Sequence, residues 1–454
     1  MSMKEPVLIG NGQGFWGDSI DAPVKLMHDG PIHYVTLDYL AEVTMSIMQR
    51  QKQRNPSRGY ATDFVHLMKE TLSAIVEKDI KVIASAGGVN PEACREAVFE
   101  VARELGLTGL KIGIVEGDDI LATLPELMQS GAEFNHLENG EPLSLVQDKV
   151  LSANVYISSL PIAEALEQGA QVIITGRATD PGLVLAPLVH EFGWRADDWD
   201  RLAAGTIAGH ILECGAQATG GNFSRWWEVP NYAQIGYPIV EAYSDGTFIV
   251  TKHPGTGGMV TIDTVSEQIV YEMGDPKNYI SPDVCVDFTT IELEEVGKDR
   301  VKVSGIKGMP STDFYKVSLS YLNGYKASGT LTISGPQAYE KAQKCAEIVW
   351  QRLKDAGFTF DDTNSEYLGL NSCHAEINPI PEQVNEVVLR LSARDVNPDK
   401  ITRFGKEIAP LITNGPPGVT GFAGGRPKPQ EIVAYWPALI DKSLVETSVT
   451  VEEV

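Results

Sequence analysis

The sequence is short of cysteine, of long apolar runs and of positive charge, and each shortage removes a class of protein. Five cysteines (Cys94, Cys214, Cys285, Cys345 and Cys373) lie far apart in 454 residues. No CxxC pair occurs, which argues against a zinc site built on thiolates. An odd and scattered set also argues against a disulfide framework. No segment approaches the roughly 18 uninterrupted apolar residues of a membrane span. The start, Met1-Ser2-Met3-Lys4-Glu5-Pro6, leads only into Val7-Leu8-Ile9 before a glycine, too short for the core of a secretory signal. A cytoplasmic protein is expected. Lys and Arg number 37 against 61 Asp and Glu, a formal charge of −24. Such a surface repels nucleic-acid phosphates and anionic lipid, so neither nucleic acid nor membrane is expected as a partner. No GxSxG elbow, Walker loop or HExxH occurs, which leaves those mechanisms without support.

What is present reads as two folded parts, since the chain is too long for one ordinary domain of about 150 residues. In the first part, apolar strands alternate with amphipathic helices. Leu40, Val43, Ile47 and Met48 recur at helical spacing, and Phe64, Leu67, Met68, Leu72 and Ile75 lie on one face of a helix predicted over 63–78. The runs at 81–84, 111–115 and 171–175 read as strands. Pro91 and Pro181 open helices, with Asn90 placed as a cap. This rhythm predicts an α/β fold, a mainly parallel, doubly wound sheet in the N-terminal part, over residues 1–225. After Trp226 the texture changes to short apolar runs at 248–250, 260–262, 284–288, 301–303 and 317–321, with one helix over 338–353. Residues 226–454 are therefore expected to form a strand-rich α+β second part, with a Gly/Pro-rich clamp at 413–428.

In an open parallel sheet, ligands bind beyond the carboxyl ends of the strands. The glycine loops of this sequence fall at those ends. The first, Gly10-Asn11-Gly12-Gln13-Gly14-Phe15-Trp16-Gly17-Asp18, lets backbone approach a ligand and offers Asn11 and the Asp18 carboxylate; a tight turn with a helix cap is the alternative. Gly87-Gly88-Val89-Asn90 precedes a helix and forms either an anion nest or a sharp capped turn. Glu116 and Asp118, at another strand end, are the candidates for a metal or a general base, against a plain solvated turn. Arg177 follows a buried strand, where a charge must be paired. Its planar fork suits a carboxylate or phosphate, with Asp180 either beside the ligand or in an internal ion pair. The stretch from His210 to Phe223 carries Glu213, Cys214, Thr219, Gly220 and Asn222. His210 and Cys214 would share a helix face, but a cysteine in apolar surroundings is more often a small core residue. Glu213 ranks ahead of Cys214 as the reacting group. His253, in a turn of the second part, is either a proton shuttle or part of a hairpin connection.

Taken together, GNGQGFWGD, AGGVNP, the run at 174–194 (ITGRATDPGLVLAPLVHEFGW) and HILECGAQATGGNF resemble the acyclic terpene utilisation AtuA-like family over nearly the whole chain. The end at Val454 resembles the form of the family without an extra C-terminal module. The resemblance implies a place in the breakdown of branched compounds through acyl-CoA intermediates, and it transfers no catalytic residue.

The expectation is a catabolic enzyme acting on a small carboxylate or acyl-CoA by acid/base chemistry of hydrolase, hydratase or lyase type. Glu213 or Asp18 would move the proton, with His210 and Cys214 as further catalytic candidates. Arg177 and Asp180 would hold the substrate, and Asn11, Gly12, Gly14, Gly87, Gly88, Asn90, Thr219, Gly220, Asn222 and His253 would line its site. No cofactor is required, a CoA thioester being a substrate form. A homo-oligomer is expected. The alternative is a non-catalytic subunit, with a small separate chain supplying the missing module.

Overall fold

Ten strands form one mixed sheet, with spatial order Glu292–Gly297, Arg300–Ser304, Phe248–Lys252, Pro238–Ala242, Val7–Gln13, Tyr34–Leu37, Lys81–Ala84, Val172–Thr175, Lys111–Glu116 and Ser448–Glu453. The computed structural model describes residues 5–370, 372–374, 377, 379–421 and 424–454. Met1 to Lys4, and residues 422–423 of the Gly/Pro stretch, lie outside the described residues.

The middle of the sheet is parallel, from Val7–Gln13 to Lys111–Glu116. Its strands are apolar on both faces: Val172, Ile173 and Ile174 are fully buried. That burial on both sides requires helices above and below. The helix Thr62–Glu77 supplies one cover through Phe64, Leu67, Met68, Leu72 and Ile75. Each such side chain contributes about 1.5–3 kcal/mol when removed from water. The helix Glu42–Arg54 turns Met45 and Met48 inward, whereas Val43 and Ile47 are exposed. The face expected for this helix is thus displaced, because Leu40 belongs to the preceding turn and does not set the helical phase.

The flanks of the sheet are antiparallel. Pro238–Ala242 pairs with Val7–Gln13, and Ser448–Glu453 pairs with Lys111–Glu116. The change of texture after Trp226 marks this turn from parallel to antiparallel pairing. One expected strand is absent: Val260-Thr261-Ile262 forms the cap and start of the helix Ile262–Val270. The Thr261 hydroxyl accepts from the Thr264 N–H at 3.2 Å, and that cap outweighs the β-branched composition.

Internal contacts group residues 1–320 with 435–454 in one unit, and residues 321–434 in a second. The second unit is antiparallel. Asp362–Leu368 and the later part of Phe314–Ser334 both pair with Glu386–Asp395. Glu386–Asp395 alternates inward Val387, Leu389, Leu391 and Ala393 with outward residues that are polar apart from Val388. The helix Ala338–Asp355 closes that core with Ala342, Cys345, Val349 and Leu353.

Candidate active site

A cleft of about 710 Å³ opens in the first unit at the carboxyl ends of the parallel strands. Three strand ends feed it. Gly14 and Asp18 follow Val7–Gln13, Asp38 and Glu42 follow Tyr34–Leu37, and Arg177 and Asp180 follow Val172–Thr175. Glu213 and Cys214 enter from the end of the helix Trp199–Leu212. Gly14 makes the junction: a Cβ there would lie 2.6–2.8 Å from backbone atoms of Glu213, Cys214 and Gly215. Only glycine lets the first loop come this close to the turn that carries Glu213.

Six carboxyl groups face the cleft, from Asp18, Asp38, Glu42, Asp180, Glu213 and Glu272, with Arg177 as the cation among the lining residues. Arg177 is nearly fully buried and heavily engaged. It reaches Asp180 at 2.9 and 3.2 Å, donates to the Leu40 carbonyl, and stacks 4.3 Å over the Tyr156 ring. The internal ion pair is therefore formed, and the fork that would have gripped a ligand is largely occupied.

Asp180 is hydrogen-bonded to Asp38, so the two carboxyls share a proton. Burial raises the Asp180 pKa, Arg177 opposes the rise, and the charge of Asp38 adds to it. The Asp180 side chain is 33% exposed to the cleft, so solvent moderates this shift. Burial likewise raises Asp38, against Arg177 and a hydrogen bond from the Ser85 hydroxyl at 2.7 Å. Glu42 moves the other way. Burial alone would raise it, but the Tyr156 hydroxyl, donating at 2.6 Å, and Arg177 hold it below its ordinary range.

Glu213 is the second acid/base centre. Its Oε1 lies 3.1 Å from His210 Nδ1, and His210 Nε2 lies 3.1 Å from the Ile269 carbonyl. A carbonyl only accepts, so Nε2 carries a hydrogen, and Nδ1 and Glu213 are left to share a proton. Burial pushes the Glu213 pKa up to about 6, with His210 opposing. Burial would lower the His210 pKa, but Glu213 outweighs it and raises it. Glu213 is therefore mainly the carboxylate at neutral pH, and the proton between the two is drawn toward the imidazole. Glu213 Oε2 is buried without a hydrogen-bond partner, on a residue that lines the cleft.

The other expected site residues divide. Asn222 lines the cleft in a left-handed conformation. Asp18 lines it with both oxygens occupied: they accept from Gly14 N at 2.9 Å, Ser19 N at 2.7 Å and the Tyr237 hydroxyl at 2.6 Å. Cys214 lies past the helix end, so it does not share a face with His210, and burial raises its thiol to about 12. Thr219 is buried with its hydroxyl on Ala216 O, and Gly220 packs against Val229. Asn11 and Gly12 are buried within the first strand, Asn11 donating to Gln13 O. Gly87, Gly88 and Asn90 stand away from the cleft lining. The two glycines allow close packing against Pro91 and Met48, and the Asn90 amide ties down Pro56 O and Arg58 O. His253 lines a separate hollow of about 560 Å³. Asp118 is buried, accepting from Arg177 N at 2.7 Å and Asn154 Nδ2 at 2.9 Å, and Glu116 is half-buried by the same strand end. Among the described residues, no group of three or more His, Cys, Asp or Glu is arranged to hold a metal, so Glu116 and Asp118 belong to no such group.

Sequence reasoning missed Asp38, Glu42, Tyr237, Tyr271 and Glu272. The signal for Asp38 was present, an apolar run Tyr34-Val35-Thr36-Leu37 ending at a carboxylate, though without the glycine that marked the other strand ends.

The family model described as "Acyclic terpene utilisation family protein AtuA" matches residues 7–451. No curated protein and no solved structure matches the chain. No helix among the described residues is long and apolar enough to cross a membrane.

Proposed function

Because the chain belongs to the acyclic terpene utilisation AtuA family, we propose that it is an acid–base enzyme of that catabolism. Family membership supports the role in acyclic terpene utilisation. The reaction is inferred from the cleft: addition or removal of water at the double bond of an unsaturated acyl thioester. The observation that carries this reading is Glu213, paired with His210 and with its buried Oε2 unpartnered, lining the same cleft as the proton-sharing Asp38–Asp180 pair.

Two centres suit the two halves of such a reaction. Glu213, ionised at neutral pH, takes a proton from water as its oxygen bonds to the β-carbon. The Asp38–Asp180 pair gives its proton to the carbonyl oxygen as the C=C electrons move toward it. The enol then takes a proton from solvent at the α-carbon and returns its hydroxyl proton to the aspartate pair. Glu213 passes its own proton to solvent, so one water is added in total. Arg177 positions Asp180 rather than the substrate. Nucleophilic catalysis by Cys214 has no support, because its thiol stays protonated.

Six carboxyls around the cleft disfavour a free carboxylate at the reacting end. A neutral thioester is the better substrate. The test is turnover of methyl-branched 2-enoyl thioesters beside the matching free acids. Hydration of the thioesters and none of the acids is expected. Turnover of the acids alone, or of neither by pure and folded protein, would contradict the reading.

A second reading is a subunit of a larger acyl-CoA-processing enzyme. It draws on Trp226 and Trp227, which are 63% and 65% exposed side by side, a pairing common at protein interfaces. Turnover that appears only with a co-purified second chain would favour it.

A further inference from the structure

Beside the acidic cleft, the same unit has another hollow, of about 300 Å³. Its walls include the rings of Tyr156, Tyr279 and Phe314 and the side chains of Ile280 and Leu439. Asp180 belongs to both cavities. The Tyr279 ring stands 5.6 Å from the His210 imidazole, the partner of Glu213. The hollow thus includes one acid/base group, Asp180, and is separated from the His210–Glu213 pair by the Tyr279 ring.

Its polar groups are unevenly placed. Lys316 Nζ stands beside the cleft, 4.7 Å over the Tyr156 ring and 3.8 Å from Glu42. Elsewhere two hydroxyls are used by backbone: Ser281 donates to Val284 O at 2.8 Å, and Thr312 to Phe314 O at 3.2 Å. Around that part, Ile280, Phe314 and Leu439 are 55%, 47% and 42% exposed. Three large apolar side chains open around one hollow form a patch that gains free energy when covered.

We propose that this hollow is the subsite for the aliphatic chain of the substrate, whose reacting end lies at Asp180 and Glu213. The inference rests on the acid–base reading for the reacting end, and it adds the substrate class: a thioester with an extended apolar chain, not a small polar acid. A polar group pushed against Ile280, Phe314 and Leu439, away from Asp180 and Lys316, would lose water for little return.

The test is calorimetric binding of saturated acyl thioesters, from butanoyl to decanoyl, to the full chain. These compounds have no double bond to hydrate, so binding is read apart from turnover. Affinity should rise about fourfold per methylene until the hollow is filled, following about 0.8 kcal/mol for each buried CH₂. Ile280→Ser and Leu439→Ser, both at exposed positions, should lower that gain. Leu439→Trp, which fills the hollow, should make long chains bind more weakly than short ones. No gain in the native protein, or the same gain in all three folded variants, overturns the proposal. Glu213→Gln separates the two ideas. A retained gain with lost turnover supports both; retained turnover sinks the acid–base reading alone; an absent gain sinks the subsite alone.

Discussion

His210 Nδ1 and Glu213 Oε1 are 3.1 Å apart at the end of one helix, and the imidazole is held from behind by the Ile269 carbonyl. The carbonyl fixes the tautomer, so the histidine acts on the glutamate and not on Cys214. Substituting His210→Gln removes the cation that holds the Glu213 pKa down. Glu213 should then ionise at higher pH, moving the acidic limb of kcat/KM upward by about one unit and cutting activity more at pH 6 than at pH 8. A pH–rate profile checks this; a uniform loss at every pH would mean that His210 acts only through packing.

Asp38→Asn tests the proton donor. With Asp38 neutralised, Asp180 loses the charge and the shared hydrogen bond that raise its pKa, while Arg177 remains. Burial still raises Asp180, but it should ionise at lower pH than in the native protein. The alkaline limb of kcat/KM should move to lower pH, and turnover at pH 7.5 should fall about 100-fold. An unchanged alkaline limb would remove the aspartate pair from the mechanism.

Stability should fall as pH rises. Burial raises Asp118 from 3.8 to about 7 and Asp283 to about 6, so the folded chain holds protons that the unfolded chain has released. Their contribution is full below about pH 4 and is lost as pH climbs through 6 and 7. For Asp118 the shift amounts to at most about 4 kcal/mol. The melting temperature should be higher at pH 5 than at pH 8. Asp118→Asn, which keeps an acceptor for Arg177 N and Asn154, should shrink that difference. Thermal melts at the two pH values decide it.

Much of this arrangement was legible in the sequence because strand ends are punctuated. The apolar run 171–175 stops at Gly176-Arg177, and the helix end is marked by Glu213-Cys214-Gly215, so Arg177, Asp180 and Glu213 could be found. Asp18 and Asn222 were found in the same way. Asp38 and Glu42 were hidden because a four-residue strand runs into a helix without a glycine. Gly87, Gly88 and Asn90 misled for the opposite reason: the close approach that requires glycine there is between parts of the protein itself. Val260-Thr261-Ile262 shows how composition fails over three residues, where a single cap decides between strand and helix.

The central claim is that Glu213 is the base. The most direct measurement is kcat/KM of Glu213→Gln for a branched enoyl thioester across pH 5 to 9, on protein shown to be folded by its melting curve. A loss of about 10²–10⁴-fold, with the acidic limb near pH 6 gone, is expected. Activity within about twofold of the native protein, with that limb still in place, would contradict it.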